Sequence, residues 1–362
     1  MFQLFLLFGL GHMFIFFSAL IVTLSVSILT IKVLLPLAPH IGLIDVPSER
    51  KRHDGAIPLI GGISIFTGVL IASSVFLEQS QLLNLYLISS ALLVFIGTMD
   101  DIYDLSVTPR IIFQGIVATI MVFGAGIYIH TFGNVFFIND VDIGRYGMLF
   151  TMLACVTCIN AFNMIDGIDG LAGSMSIISI SSIAILTLLN NANDDILLPL
   201  ILVAATIPYL FYNVSTRSPR GKKIFMGDAG SMFLGLTVIW LLVIGTQSTL
   251  TVNASFRPVT ALWIIAVPLM DMFAIMIRRV RKGTSPFKAD NEHLHHICMR
   301  LGLSSRQALL CISLLAITMA LLGILGEQFN VPEGFMLLVF MLIFVCYIYA
   351  LQHAWKLVKF LR

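Results

Sequence analysis

Eleven apolar stretches, each close to the roughly 20 residues a helix needs to cross a bilayer, decide what this chain can fold into. They lie near 12–35, 59–77, 82–99, 109–130, 147–164, 171–190, 196–213, 228–247, 258–277, 308–326 and 335–355. With 58% hydrophobic and 11% charged residues among 362, the chain reads as an all-α polytopic membrane protein of about eleven transmembrane helices. Residues 1–362 are expected to form a single helical domain with its chemistry in the loops, so the usual length-based count of soluble domains does not apply. The first stretch has no charged residue before Lys32 and no small-residue cleavage site. It therefore reads as a membrane helix and not as a removable signal.

The basic residues orient the bundle. Number the connections between stretches in order. Of the 21 lysines and arginines, all but Arg145 and Arg257 fall in odd connections, at the inner end of the first stretch, or in the C-terminal tail. By the positive-inside rule the odd connections are cytoplasmic, the N-terminus faces the periplasm and the C-terminus the cytoplasm. A miscounted helix would scramble this asymmetry, which supports the count. The formal net charge of +2 says little about partners, and no nucleic acid is expected among them. Cys155 and Cys158 lie one helical turn apart inside an apolar run and read as buried packing. Cys298, Cys311 and Cys346 are isolated and support no disulfide framework.

Four polar clusters interrupt this apolar background, and all four fall on odd connections. Carboxylates near hydrocarbon are expensive, so acids kept there are functional candidates. Asp100 and Asp101 are adjacent and repel unless a cation or donor is near; they read as a metal site, a base beside one, or a solvated cap. In the run Asn163-Met-Ile-Asp166-Gly-Ile-Asp169-Gly170, a continuous helix would set Asp166 and Asp169 on one face, with Asn163 extending it. The glycines would admit a ligand or another helix. Gly227-Asp228-Ala-Gly-Ser231 opens an apolar stretch, where backbone N–H groups and the helix dipole suit a phosphate. Asp228 there could hold Mg²⁺ or act as a plain cap. The ninth connection joins Arg278, Arg279, Arg281 and Lys282 to His293, His295 and His296, a set suited to diphosphate binding. A zinc site has no cysteine or HExxH spacing to support it. The basic turn Arg50-Lys-Arg-His53 could touch a nucleotide or lipid phosphate. Asp271 is the one acid well inside an apolar stretch, about 10 Å from its cytoplasmic end, and reads as a polar strut without an assigned partner.

The runs Asp100-Asp101, Asn160-Ala-Phe-Asn-Met-Ile-Asp-Gly-Ile-Asp-Gly170, Phe225-Met-Gly-Asp-Ala-Gly-Ser231 and His293-Leu-His-His296 resemble the polyprenyl-phosphate N-acetylhexosamine-1-phosphate transferases. Within that family the chain resembles the bacterial branch that uses undecaprenyl phosphate and GlcNAc. The resemblance runs from about Arg50 to Lys359, includes Ala261 to Asp271, and keeps its four motifs in order. It implies transfer of GlcNAc-1-phosphate from UDP-GlcNAc to undecaprenyl phosphate with release of UMP, assisted by Mg²⁺ or Mn²⁺. It also implies a place in the bacterial inner membrane, with the active site on the cytoplasmic face, and a role in cell-surface polysaccharide synthesis. By this resemblance Asp100 and Asp101 are catalytic and Asp228 is the metal ligand. Asn163, Asp166, Asp169, Arg279, His293, His295 and His296 bind substrate. The Asn291-Glu-His-Leu-His-His296 run differs from the three-histidine signature of the branch that transfers MurNAc-pentapeptide phosphate. Expected partners are UDP-GlcNAc, undecaprenyl phosphate and membrane lipid, with a homodimer left open. Some relatives in this family carry a long basic C-terminal tail, whereas this sequence stops at Arg362, so a role for such a tail is not expected from the resemblance.

The residues alone suit a reaction joining a soluble phosphorylated compound to a lipid one, since phosphoryl transfer needs mainly positioning and charge stabilisation. The residues leave two alternatives. One is the same chemistry on another UDP-N-acetylhexosamine. The other is a secondary transporter, which would place ionisable groups near the midplane on broken helices in repeated halves; here only Asp271 is deep, and no repeat is visible.

Overall fold

The computed structural model describes residues 10–47, 55–137, 140–190, 196–214, 223–248, 254–285 and 293–353. Arg50 to Asp54, Asn291 and Glu292, and the basic residues at 217, 220, 222, 288, 356, 359 and 362 lie outside them. The described chain is helical apart from one short antiparallel hairpin, β1 (Ile44–Asp45) with β2 (Ile57–Pro58). Two compact units divide it: Met1–Ala125 with Ala192–Phe233, and Gly126–Asn191 with Leu234–Arg362.

The first unit holds α1 (Leu10–Leu37), α2 (Gly61–Phe76), α3 (Gln81–Tyr103), α4 (Val107–Thr119, ending in a π turn Ile120–Gly124), α7 (Leu197–Val214) and the opening of α8 (Gly227–Thr246). α2 packs on α1, α3 and α7. Backbone hydrogen bonds fix the approach to α8. Phe225 N–H donates to Pro58, and Gly61 and Gly62 N–H donate to Phe225 and Met226 at 2.9 Å. Glycine then allows backbones to touch: a methyl at Gly62 would strike the backbone of Gly230, and one at Gly97 that of Ala229. The start of α8 is thus clamped between α2 and α3.

The second unit holds α5 (Tyr146–Ile165), α6 (Leu171–Leu189), the rest of α8, α9 (Pro258–Ile264), α10 (Ala266–Arg281), α11 (Leu294–Arg300), α12 (Ser305–Gln328) and α13 (Glu333–Gln352). α10 packs on α5, α12 and α13, and α12 also covers α6, α9 and α11. Trp263, Met270, Met319 and Phe340 form a buried apolar cluster among them. Cys155 and Cys158 are buried on α5, as expected. Arg257, one of the two basic residues on the even side, is held in place: its guanidinium meets Glu327 at 3.2 Å and donates to the Val331 and Gly326 carbonyls at 2.9 Å.

Among the described residues, nine helices are long and apolar enough to cross a membrane. This is the all-α polytopic class expected, but three of the eleven stretches differ from a simple span. α2 is 16 residues long. The stretch near 109–130 leaves the helix at Gly124, followed by Gly126 at φ +69°. The stretch near 258–277 is broken at Ile265, where α9 and α10 meet at 78°. Pro268 explains the break, because it lacks an N–H and its ring crowds the carbonyl four residues earlier. Counted as one, this bent pair is a tenth span.

Candidate active site

Two of the four clusters meet in the first unit. Asp100 and Asp101 end α3, whose C-cap Asp104 takes left-handed backbone at φ 49°. Asp101 turns to α8: its carboxylate accepts from the N–H of Asp228 at 2.8 Å and of Ala229 at 3.3 Å. It therefore caps a helix 127 positions away, filling the place a bound anion would otherwise take at that helix start. Gly227 makes this possible. It sits at φ +71°, and a β-carbon there would collide with the Asp101 carboxylate, so any other residue is both strained and in the way. Asp100 accepts from Leu105 N–H at 2.8 Å and from Arg110 Nη1 at 2.9 Å. Arg110 also lies 3.5 Å from Asp228 Oδ2. A guanidinium thus bridges Asp100, which is 3% exposed, and Asp228, which is 35% exposed. In sequence Arg110 is one basic residue among many on the odd connections, and nothing in the spacing of 100, 110 and 228 shows that they meet.

This carboxylate set suits a hard divalent ion. Mg²⁺ prefers one or two carboxylates and takes its remaining ligands from phosphate and water, and Asp228 offers a partly exposed oxygen at a helix start. No group of three or more acid, histidine or cysteine side chains among the described residues forms a complete protein cage. An ion shared with substrate phosphates does not require one.

The other two clusters meet in the second unit. α5 ends at Ile165, Asp166 is its C-cap, and Gly170 at φ +77° precedes α6. The expectation that Asp166 and Asp169 share a helical face is therefore corrected. The two glycines loosen the chain into a turn, with Gly167 N–H bonded to Ile165 and Leu171 N–H to Ile168. Asn163, Asp166 and Asp169 are all partly exposed there. A β-carbon at Gly167 would strike the imidazole of His295, so the glycine is needed for the histidine cluster to close on the turn.

His293, His295 and His296 pack as a group, with His293 and His295 stacked at 5.6 Å and His295 and His296 tilted at 4.1 Å. His295 is 2% exposed, and neither ring nitrogen has a hydrogen-bond partner. Burial, then the neighbouring His296 and His293, push its pKa down from 6.5 to about 3, so the ring is neutral at physiological pH. It serves as a wall against Gly167. His293 instead pairs with Asp271, Nδ1 to Oδ2 at 2.9 Å, which supplies the partner that the sequence left unassigned. Arg279 is buried at 5% near the end of α10, eight positions beyond Asp271 on the same helix.

The four motifs therefore form two sites of contact, one in each unit: acids around a capped helix start, and histidines against a glycine turn. The glycosyl transferase family 4 model matches residues 83–246, which include Asp100, Asp101, Asn163, Asp166, Asp169 and Asp228. Proteins named undecaprenyl-phosphate alpha-N-acetylglucosaminyl 1-phosphate transferase are similar over nearly the whole length. The relative from Pasteurella multocida is 44% identical over 95% of this chain and 96% of its own. The one from Haemophilus influenzae is 43% identical over the same shares. The one from Yersinia pestis is 43% identical over 90% of this chain and 88% of its own. Identity at this level across almost the whole of both chains leaves no room for a different fold, and this chain belongs to glycosyl transferase family 4.

Proposed function

We propose that this chain transfers GlcNAc-1-phosphate from UDP-GlcNAc to undecaprenyl phosphate, giving undecaprenyl-diphospho-GlcNAc and UMP, as the first membrane-bound step of a cell-surface polysaccharide such as O-antigen. The observation that carries this reading is the end-to-end identity to transferases named for that lipid and that sugar. On this reading the whole chain serves one activity in the bacterial inner membrane, in eleven passes with the N-terminus periplasmic, and its acidic and histidine clusters face the cytoplasm, where UDP-sugars are available. The charge asymmetry supports that orientation.

A lipid phosphate oxygen attacks the phosphorus that carries the sugar; the bond to the bridging oxygen breaks, and that oxygen leaves with UMP. The second pKa of a phosphate monoester is near 6, so the lipid phosphate is already largely dianionic at neutral pH. It needs orientation more than activation. Enzymes of this family are in general divalent-metal dependent. Asp228 is assigned to hold Mg²⁺ or Mn²⁺, which would offset charge on the diphosphate. Asp101, committed to two backbone N–H groups, keeps Asp228 in place. Asp100 with Arg110 orients the lipid phosphate and accepts any remaining proton. Asn163, Asp166, Asp169, Arg279, His293 and His296 are assigned to the nucleotide sugar, and His295 to the floor beneath it. The transporter alternative drew on Asp271 as a deep, uncommitted acid, and that carboxylate has three hydrogen-bond partners.

The test is to incubate the protein in membranes with radiolabelled UDP-GlcNAc, undecaprenyl phosphate and Mg²⁺, beside other UDP-N-acetylhexosamines. Label should enter the lipid extract with equimolar UMP, and most readily from UDP-GlcNAc. Intact protein that labels no lipid would contradict the proposal, and preference for another hexosamine would change the named sugar.

A further inference from the structure

Asp271 sits in the second turn of α10 at 1% exposure. A carboxylate so placed is costly unless its oxygens are met by donors, and they are. Oδ1 accepts from the N–H of Leu294 at 3.0 Å and from the Tyr347 hydroxyl at 2.9 Å. Oδ2 lies 2.9 Å from Nδ1 of His293. Three elements therefore converge on one side chain: α10, the start of α11, and α13.

A carboxylate can only accept, so the shared proton belongs on Nδ1 of His293. Which nitrogen of an imidazole is protonated is set by the hydrogen bond the other makes. With Nδ1 committed, Nε2 is the position of this ring left without a hydrogen bond among the described residues. The ring cannot easily swing, because His295 stacks on it at 13° between planes and the backbone of the next residue is tied to the same carboxylate.

We infer that Asp271 is the positioning residue for His293. It fixes the Nδ1–H tautomer and, held in turn by Tyr347, keeps Nε2 turned toward the sugar-nucleotide diphosphate as an acceptor or, once protonated, a donor. What Nε2 meets rests on the transferase reading; the tautomer does not.

Asp271→Asn separates the two roles the residue could have. The amide oxygen can still accept from Leu294 and Tyr347, while its NH₂ must face Nδ1 and donate to it, which moves the ring proton to Nε2. The fold is kept and the tautomer reversed. The expected result is a fall in kcat of about 10²–10⁴-fold, with KM for UDP-GlcNAc within about threefold and an unchanged thermal midpoint. His293→Ala should lose as much, and the double variant should lose no more than His293→Ala alone. Tyr347→Phe, which removes one of three bonds, should cost about tenfold or less. In parallel, nitrogen NMR of histidine-labelled protein without substrate, with His293 assigned by its disappearance in His293→Ala, should show Nδ1 protonated in wild type and Nε2 protonated in Asp271→Asn. An Nε2–H tautomer in wild type overturns the inference, as do wild-type kcat in Asp271→Asn or strictly additive losses. If Asp271→Asn does not fold, the wild-type spectrum and Tyr347→Phe still decide it. If wild type labels no lipid at all, the transferase reading fails, while the spectrum still judges the tautomer.

Discussion

Asp228→Asn keeps the shape of the α8 start and removes one charge, so it isolates what that charge does. With its partners in place the variant should insert and fold, yet lose at least about 10²-fold in transfer rate, the scale of losing one charge-stabilising group. Full activity at low Mg²⁺ would remove Asp228 from the metal. His295 gives a second test. Its folded pKa of about 3 lies below the ordinary 6.5, so between those values the unfolded chain holds a proton that the native chain does not. Stability contributed by the neutral ring is complete above about 6.5 and is lost as pH falls toward 3. Between pH 7 and pH 5 the loss is about 2 kcal/mol. His295→Leu, which removes two unsatisfied nitrogens, should abolish that part of the slope without lowering stability at pH 7. Parallel wild-type and variant slopes in detergent would contradict this. At this scale the sequence named the acids and histidines but not their partners. Asp101 with Asp228, and Asp271 with Tyr347, are joined by helix packing between distant segments, which no local spacing encodes.

Helix contacts rest on where side chains are missing. A β-carbon on Gly97 would lie 2.8 Å from the Asp228 carbonyl carbon, closer than packed atoms allow. Gly97→Ala should cost about 1–3 kcal/mol by overpacking, and should also lower activity by pushing the start of α8 off Asp101. Gly115, on α4, is the control: nothing lies within 4 Å of its β-carbon position. Gly115→Ala should be neutral or stabilising by up to about 1 kcal/mol. Equal effects of the two in thermal unfolding would contradict the clamp on α8. Element existence was legible, because each apolar stretch holds a helix. The breaks were not: hydropathy runs straight through Ile265, and only Pro268 hints at the bend. The turn at Gly167 was not legible, because the three-residue spacing of Asp166 and Asp169 suits either conformation.

For the whole molecule, orientation decides which substrates the clusters can reach. In protein stripped of its native cysteines, Ser285→Cys should react with a membrane-impermeant label only after the membrane is opened. Asn330→Cys, in the turn between α12 and α13, should react from outside. Labelling of position 285 from outside would place the clusters on the wrong face for UDP-GlcNAc. The proposed orientation rests on the charge asymmetry of the sequence, in which only Arg145 and Arg257 fall on even connections, and Arg257 is tied to Glu327. The central claim is direct transfer between UDP-GlcNAc and undecaprenyl phosphate, and its most direct test is isotope exchange. Delipidated protein is given UDP-GlcNAc, Mg²⁺ and radiolabelled UMP, with and without undecaprenyl phosphate. Label should appear in UDP-GlcNAc only when the lipid is present, because the reverse reaction needs the lipid diphosphate. Exchange without lipid that disappears in Asp100→Asn or Asp101→Asn would show a covalent carboxylate intermediate and contradict direct attack, and no exchange under either condition would contradict the transfer itself.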